Sequence, residues 1–141
     1  MIKVFINVLL AGLLAFSASA LADDKARDAA ITAVVSDQID ALHNDDSERA
    51  FSHASPMIKA SIRDSERFMM MVKRSYDMIY RPSSHEIQEV KMIDDKFYQV
   101  VLFVDQERKR FKVFYEMQKQ ADGNWKINGV TMFTAKGDVF A

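Results

Sequence analysis

Apolar residues recur with a helical period over residues 24–43. Ile31, Val34, Val35, Ile39 and Leu42 fall on one stripe, with Ala33, Asp37 and Asp40 opposite, as in a helix that buries one face. Asn44-Asp45-Asp46 ends this helix and starts another. Asp45 is placed to cap the orphan amides while Glu48 reaches back, in the manner of a capping box. The short helix that follows turns Ala50 and Phe51 inward. Ser55-Pro56 opens the next, since serine caps well and proline is tolerated at the first helical position. Asp64 caps a longer helix predicted over 65–79. Phe68, Met71, Val72, Tyr76 and Ile79 share its inner face, and Arg67, Met70, Arg74 and Asp77 point away. Arg81-Pro82 stops it, because the residue before proline is pushed out of the α region.

Beyond Pro82 the period falls to two. Residues 85–93 alternate around Ile87 and Val90, and Asp94-Asp95 is a turn. Residues 97–104 form a strand apolar on both sides, with Tyr98, Val100, Leu102 and Val104 on one and Phe97, Val101 and Phe103 on the other. A charged tip at 105–109 leads to Phe111, Val113, Tyr115 and Met117, out of phase with Lys112, Glu116 and Gln118. Asp122-Gly123 signals a hairpin, Trp125 and Ile127 open the last strand, and Gly129 suggests a bulge in it. Helices first and an antiparallel meander afterwards make an α+β fold. The expected architecture is a curved antiparallel sheet wrapped around N-terminal helices, with a cavity at its open end.

The first 22 residues read as a leader. Lys3 precedes an apolar run over Val4–Phe16, and Ala20-Leu21-Ala22 is a small-x-small cleavage site; this is the plan of a secretory signal peptide. The run is shorter than the roughly 20 apolar residues a membrane span needs. Cleavage after Ala22, with Ala20 as the alternative site, leaves one domain over 23–134 and a tail at 135–141, and places the protein in the periplasm or outside the cell. Composition narrows the chemistry. With no cysteine among 141 residues, disulfides, thiolate nucleophiles, a lipid-modified cysteine and Cys-ligated metals are excluded. A net charge of −1 offers no electrostatic case for nucleic acid.

Four segments then carry a resemblance: Ala50-Phe51-Ser52-His53-Ala54-Ser55-Pro56, Phe68-Met69-Met70-Met71-Val72, Tyr76-Asp77-Met78-Ile79-Tyr80-Arg81-Pro82, and the closing Asp122-Gly123-Asn124-Trp125-Lys126-Ile127-Asn128-Gly129-Val130. Together they resemble a small bacterial family, domain of unknown function 4864, over about residues 29–133. That family is similar to the cone-shaped nuclear transport factor 2-like superfamily, alongside cystatin-like and SnoaL-like folds. The resemblance implies a cone and a cavity. It implies no activity, because isomerases, dehydratases, ligand carriers and assembly modules share such folds.

Enzymes on such cones need an acid or histidine inside an apolar pocket. The candidates are His53, His85, Tyr76, Tyr80, Glu116 and Asp105. His53 reads as a loop or capping histidine, Glu116 as solvent-facing and Asp105 as a turn residue, which leaves no acid on an inward phase. His43, His53 and His85 are far apart in sequence without ligand spacing. Met69-Met70-Met71 cannot converge on one ion, because consecutive helical residues diverge by about 100°. No metal or cofactor is therefore expected. Arg108-Lys109-Arg110-Lys112 reads as a solvated hairpin tip. The pocket-lining candidates are Phe51, Phe68, Val72, Tyr76, Tyr115 and Trp125, and a cone lined by methionine, phenylalanine and tyrosine suits a small apolar ligand. The second apolar side of strand 97–104, joined by Phe114, predicts a homodimer through the outer sheet face. The functional expectation is a non-enzymatic binding or assembly module; the alternatives are a carrier of a small hydrophobic ligand and an isomerase- or hydro-lyase-like enzyme.

Overall fold

The computed structural model describes the backbone of residues 2–134, with side chains from Ala18 onward. The tail at 135–141 and the side chains of the apolar run at 4–16 lie outside the described residues. The chain divides into two units, residues 1–30 and residues 31–141. Helix α1, Ile2–His43, passes through both. The periodicity predicts its start at Asp24, but the chain has no proline before Pro56, and its alanine- and leucine-rich stretch favours helix throughout. In the first unit, Arg27 sits between two carboxylates, Nη1 2.9 Å from Asp24 Oδ1 and Nη2 2.8 Å from Asp28 Oδ1. No helix among the described residues is long and apolar enough to cross a membrane.

Four shorter helices follow in the second unit: α2 (Ser47–Ser52), α3 (Pro56–Ile62), α4 (Ser65–Ser75) and α5 (Asp77–Tyr80). Ser55 and Asp64 cap α3 and α4 as the sequence predicts, accepting from the amides of Ile58 and Arg67. The cap of α2 is Asp46 rather than Asp45. Asp45 takes a φ of 55°, a left-handed conformation that short polar side chains tolerate. The helix predicted over 65–79 is two helices. Tyr76, with φ −135° and ψ 42°, closes α4 and precedes α5. Both pieces face the same core, so the apolar stripe runs through the break without a gap.

The strands are β1 (Ser84–Ile93), β2 (Lys96–Val104), β3 (Arg110–Lys119) and β4 (Trp125–Thr134), antiparallel in the order β1-β2-β3-β4. The chain is thus α+β, with an open four-stranded sheet. Asp94 and Asp95 both have positive φ, 50° and 63°, which suits the right-handed twist of a tight hairpin. Each edge strand carries a bulge. In β1 the register slips between Ile87 and Val90. In β4 Gly129 pairs with Glu116 while Ile127 pairs with Met117, so Asn128, next to the predicted glycine, is the extra residue. Beside β4, the amide of Ser55 donates to Ile127 O and the amide of Ile127 donates to His53 O, both at 2.8 Å, making a parallel bridge between Ala54 and Ile127.

The inner sheet face contributes Val101, Phe103, Val113, Tyr115 and Met117 to one buried cluster with Ile31, Val35, Ile39 and Leu42 of α1 and Phe68 and Val72 of α4. Each such side chain contributes about 1.5–3 kcal/mol by leaving water. Gln99 is the polar exception. It is fully buried, donates to the carbonyls of Gln88 (2.8 Å), Val100 (3.0 Å) and Glu89 (3.3 Å), and accepts from Thr32 Oγ1 at 2.6 Å. It thereby ties the β1 bulge to α1. On the outer face Val100 and Leu102 are buried too, which shrinks the open apolar patch expected there. What remains is a run of edge-on rings, Tyr98 to Phe114 at 6.3 Å and Phe114 to Phe133 at 5.5 Å, ending at a Phe133 that is 54% exposed.

Candidate functional site

Amphipathic helices laid over a sheet leave a void wherever their ends diverge. Here α1, α3, α4 and the inner face of β3 and β4 line a partly open cavity of about 160 Å³. Gln38 and Leu42 line it from α1, Ile58 and Ile62 from α3, and Phe68, Met71 and Val72 from α4. Tyr76, at the break between α4 and α5, closes another side, and Tyr115 and Val130 form the sheet wall. Of the six residues expected to line a pocket, Phe68, Val72, Tyr76 and Tyr115 stand on this wall. Phe51 packs instead on the Phe68 ring at 5.5 Å. Trp125 meets Phe97 edge-on at 5.7 Å and borders a separate hollow with Lys96 and Glu116.

The polarity of the wall is sparse. Gln38 is buried, its amide donating to Ala50 O at 3.2 Å. Tyr115 is buried, and its hydroxyl has no hydrogen-bond partner. Burial alone pushes its pKa far above the ordinary tyrosine value, so the group stays a neutral hydroxyl at any working pH. A buried donor left unpaired costs about 1–3 kcal/mol. Among the described residues, no carboxylate, histidine or lysine lines the cavity.

The other chemical candidates stand elsewhere. His53 closes α2, and its Nε2–H donates to Asp37 Oδ2 at 2.6 Å. Arg49 lies against the same carboxylate, Nε to Oδ2 3.5 Å, and pairs with Asp40. Asp40 above all, with Asp37 and Asp46, holds the guanidinium pKa above its usual value. His85 is exposed on β1. Its ring stacks on Phe103 at 5.9 Å and meets His43 edge-on at 5.4 Å. Desolvation, and then His43, pushes its pKa down. His43 Nε2–H donates to Ile79 O at 3.0 Å. The fold therefore joins two histidines that are far apart in sequence, and among the described residues no group of three metal-binding side chains forms around them.

Tyr80 donates to Asp45 and lies between two cations, with the Arg81 guanidinium 4.0 Å and the Lys73 ammonium 5.1 Å from its ring centre. That hydroxyl bond, reinforced by Lys73 and Arg81, holds the Asp45 pKa low. Asp105 accepts from the amides of Glu107 and Lys109 and so serves its hairpin. Glu116 lies on the outer face but is only 19% exposed at its side chain. It accepts from Lys96 Nζ at 2.8 Å, Asn128 Nδ2 at 2.7 Å and Tyr98 OH at 3.5 Å. Lys96 first, then Asn128, lowers its pKa. Ser55 extends the network, donating to Asn128 Oδ1 at 2.8 Å.

Sequence reasoning missed Gln99 and Asn128. The signal for Gln99 is a lone polar residue in the inward phase between Phe97 and Val101. For Asn128 it is an amide beside the predicted bulge.

No curated protein and no solved structure matches the chain. The sequence pattern of one family does, over residues 24–140, a span that takes in α1 from Asp24 onward, α2 to α5, the sheet and the whole cavity wall. The chain belongs to the family described as a domain of unknown function, DUF4864.

Proposed function

We propose that this chain is an exported, non-enzymatic binding protein that holds a small apolar molecule in the cavity walled by α1, α3, α4 and the sheet. The observation that carries this reading is the cavity itself. At about 160 Å³ it is the size of apolar voids that stay dry and admit benzene. Its wall offers a neutral tyrosine and an amide in place of a general base, which supports holding a molecule rather than transforming it. Helices followed by an open antiparallel meander support the nuclear transport factor 2-like cone as the wider fold type. The leader features at residues 1–22 support export.

Benzene titration followed by the thermal midpoint tests the cavity. The wild-type chain gains stability with rising benzene, by binding linkage. Val130→Phe, which fills the void, loses that response while remaining folded. A wild-type midpoint that benzene does not move would end the reading. Protein recovered from its native host should begin at Asp23 or Leu21, as judged by intact mass; an unprocessed N-terminus would remove export.

A second reading is self-association through the outer face, favoured by the exposed Phe133 ring beside Phe114. Light scattering should give a dimer that Phe133→Glu converts to monomer. A wild-type monomer at micromolar concentration would dismiss it.

A further inference from the structure

The cavity has a neighbour. On the solvent side of α4, Arg67, Met70, Met71, Arg74 and Ser75 line a shallow groove. Met71 lines both the groove and the cavity, so one side chain is common to the two. Arg67, Met70, Met71 and Arg74 stand at i, i+3, i+4 and i+7, which sets them side by side along one helix face. Met70 is 58% exposed. Arg67 Nε is 3.4 Å from Asp64 Oδ2, which leaves the rest of its fork open. Among the described residues, no carboxylate pairs with Arg74.

We infer that the ligand is an anionic amphiphile, a carboxylate on a short unbranched hydrocarbon chain, with its head held by Arg67 and Arg74 in the groove and its tail passing Met71 into the cavity. This rests on the cavity reading above and adds the chemical class. The apolar wall rejects a charge, since burying an unpaired carboxylate is prohibitive; the head must therefore stay at water's edge, where the two guanidinium groups stand. A guanidinium presents paired donors that match a carboxylate's two oxygens. Methionine is unbranched and adaptable, and Met71 can swing to join groove and cavity without moving the backbone.

The test uses the full chain with methyl-labelled methionines, titrated with octanoate and with 1-octanol. Octanoate shifts both the Met70 and Met71 methyl resonances, whereas 1-octanol shifts Met71 alone. Affinity rises about fourfold per added methylene from butanoate to octanoate, as burial of one CH₂ dictates. Arg74→Gln and Arg67→Gln each weaken octanoate about fivefold, the scale of an exposed ion pair. Neither substitution changes 1-octanol binding, and Arg74→Lys retains part of the octanoate affinity. If octanoate and 1-octanol bind alike and both are indifferent to the arginines, the anionic class is wrong while the cavity reading stands. If octanoate binds Val130→Phe as tightly as wild type, the contact is on the surface only and the inference fails. If neither probe nor benzene binds, the cavity reading fails and takes the inference with it.

Discussion

Tyr115 and Glu116 are neighbours in the chain and opposites in their surroundings. Tyr115 points inward from β3, fully buried, and its hydroxyl has no partner. Glu116 points outward and accepts from Lys96, Asn128 and Tyr98. A third polar residue, Gln99, pairs with Tyr115 across the ladder and is as buried, yet both ends of its amide are engaged. Gln99, which holds the β1 bulge, is satisfied. Two buried side-chain atoms among the described residues lack a hydrogen bond: Arg49 Nε, which still has the Asp37 carboxylate 3.5 Å away, and the Tyr115 hydroxyl, whose residue borders the void. An unpaired buried hydroxyl beside an empty space marks the place where stability has been left incomplete, and binding sites are drawn from such places.

This contrast can be broken in three ways, in falling order of effect. Gln99→Leu should be the most damaging: it strips the bulge carbonyls of Gln88 and Glu89 of their donor and should lower unfolding stability by about 3 kcal/mol, read from urea denaturation. A loss under 1 kcal/mol would mean that the bulge holds without it. Glu116→Gln should cost about 1 kcal/mol at neutral pH, the scale for a partly exposed ion pair with a hydrogen bond. The native state holds the Glu116 pKa below its ordinary 4.5, so the unfolded chain takes up this proton first as the solution is acidified. The stabilisation is fully present above pH 4.5 and disappears as pH falls through the native value. The variant should therefore lose less stability than wild type on acidification below pH 4.5, and parallel pH profiles would show that the carboxylate is not held as described. Tyr115→Phe should be the mildest, neutral or stabilising by up to about 1 kcal/mol, because it removes a donor without a partner. A loss greater than about 1 kcal/mol would show that the hydroxyl is satisfied in solution and would erase the contrast with Gln99.

Much of the fold is legible in residue patterns because it rests on local rules. The Ser55 and Asp64 caps, the Asp-Gly hairpin and the alternation of β3 each depend on a few adjacent residues. What escapes the sequence depends on partners far along the chain. Tyr76 breaks a helix without glycine or proline, and the apolar stripe continues through the break because both halves cover the same core. Asp45 and Asp46 are chemically identical candidates for one cap, and only the left-handed turn at Asp45 decides between them. His43 and His85 meet because α1 ends beside β1, 42 positions away in the numbering. Within the candidate site, four wall residues were readable as inward-facing on helix or strand phase. The groove on α4 joins Arg67, Met70 and Arg74, which helical phase turns outward, to Met71, which the same phase turns inward.

The small parallel bridge at Ala54 has a further consequence. An open sheet ends in strands whose free amides and carbonyls invite other chains to join. In this protein a segment of its own backbone occupies part of β4's margin, and the bulge in β1 distorts the opposite one. Neither border offers a long flat template. Copies of this molecule should therefore resist growing strand upon strand into fibrils, even where partial unfolding or crowding brings them together.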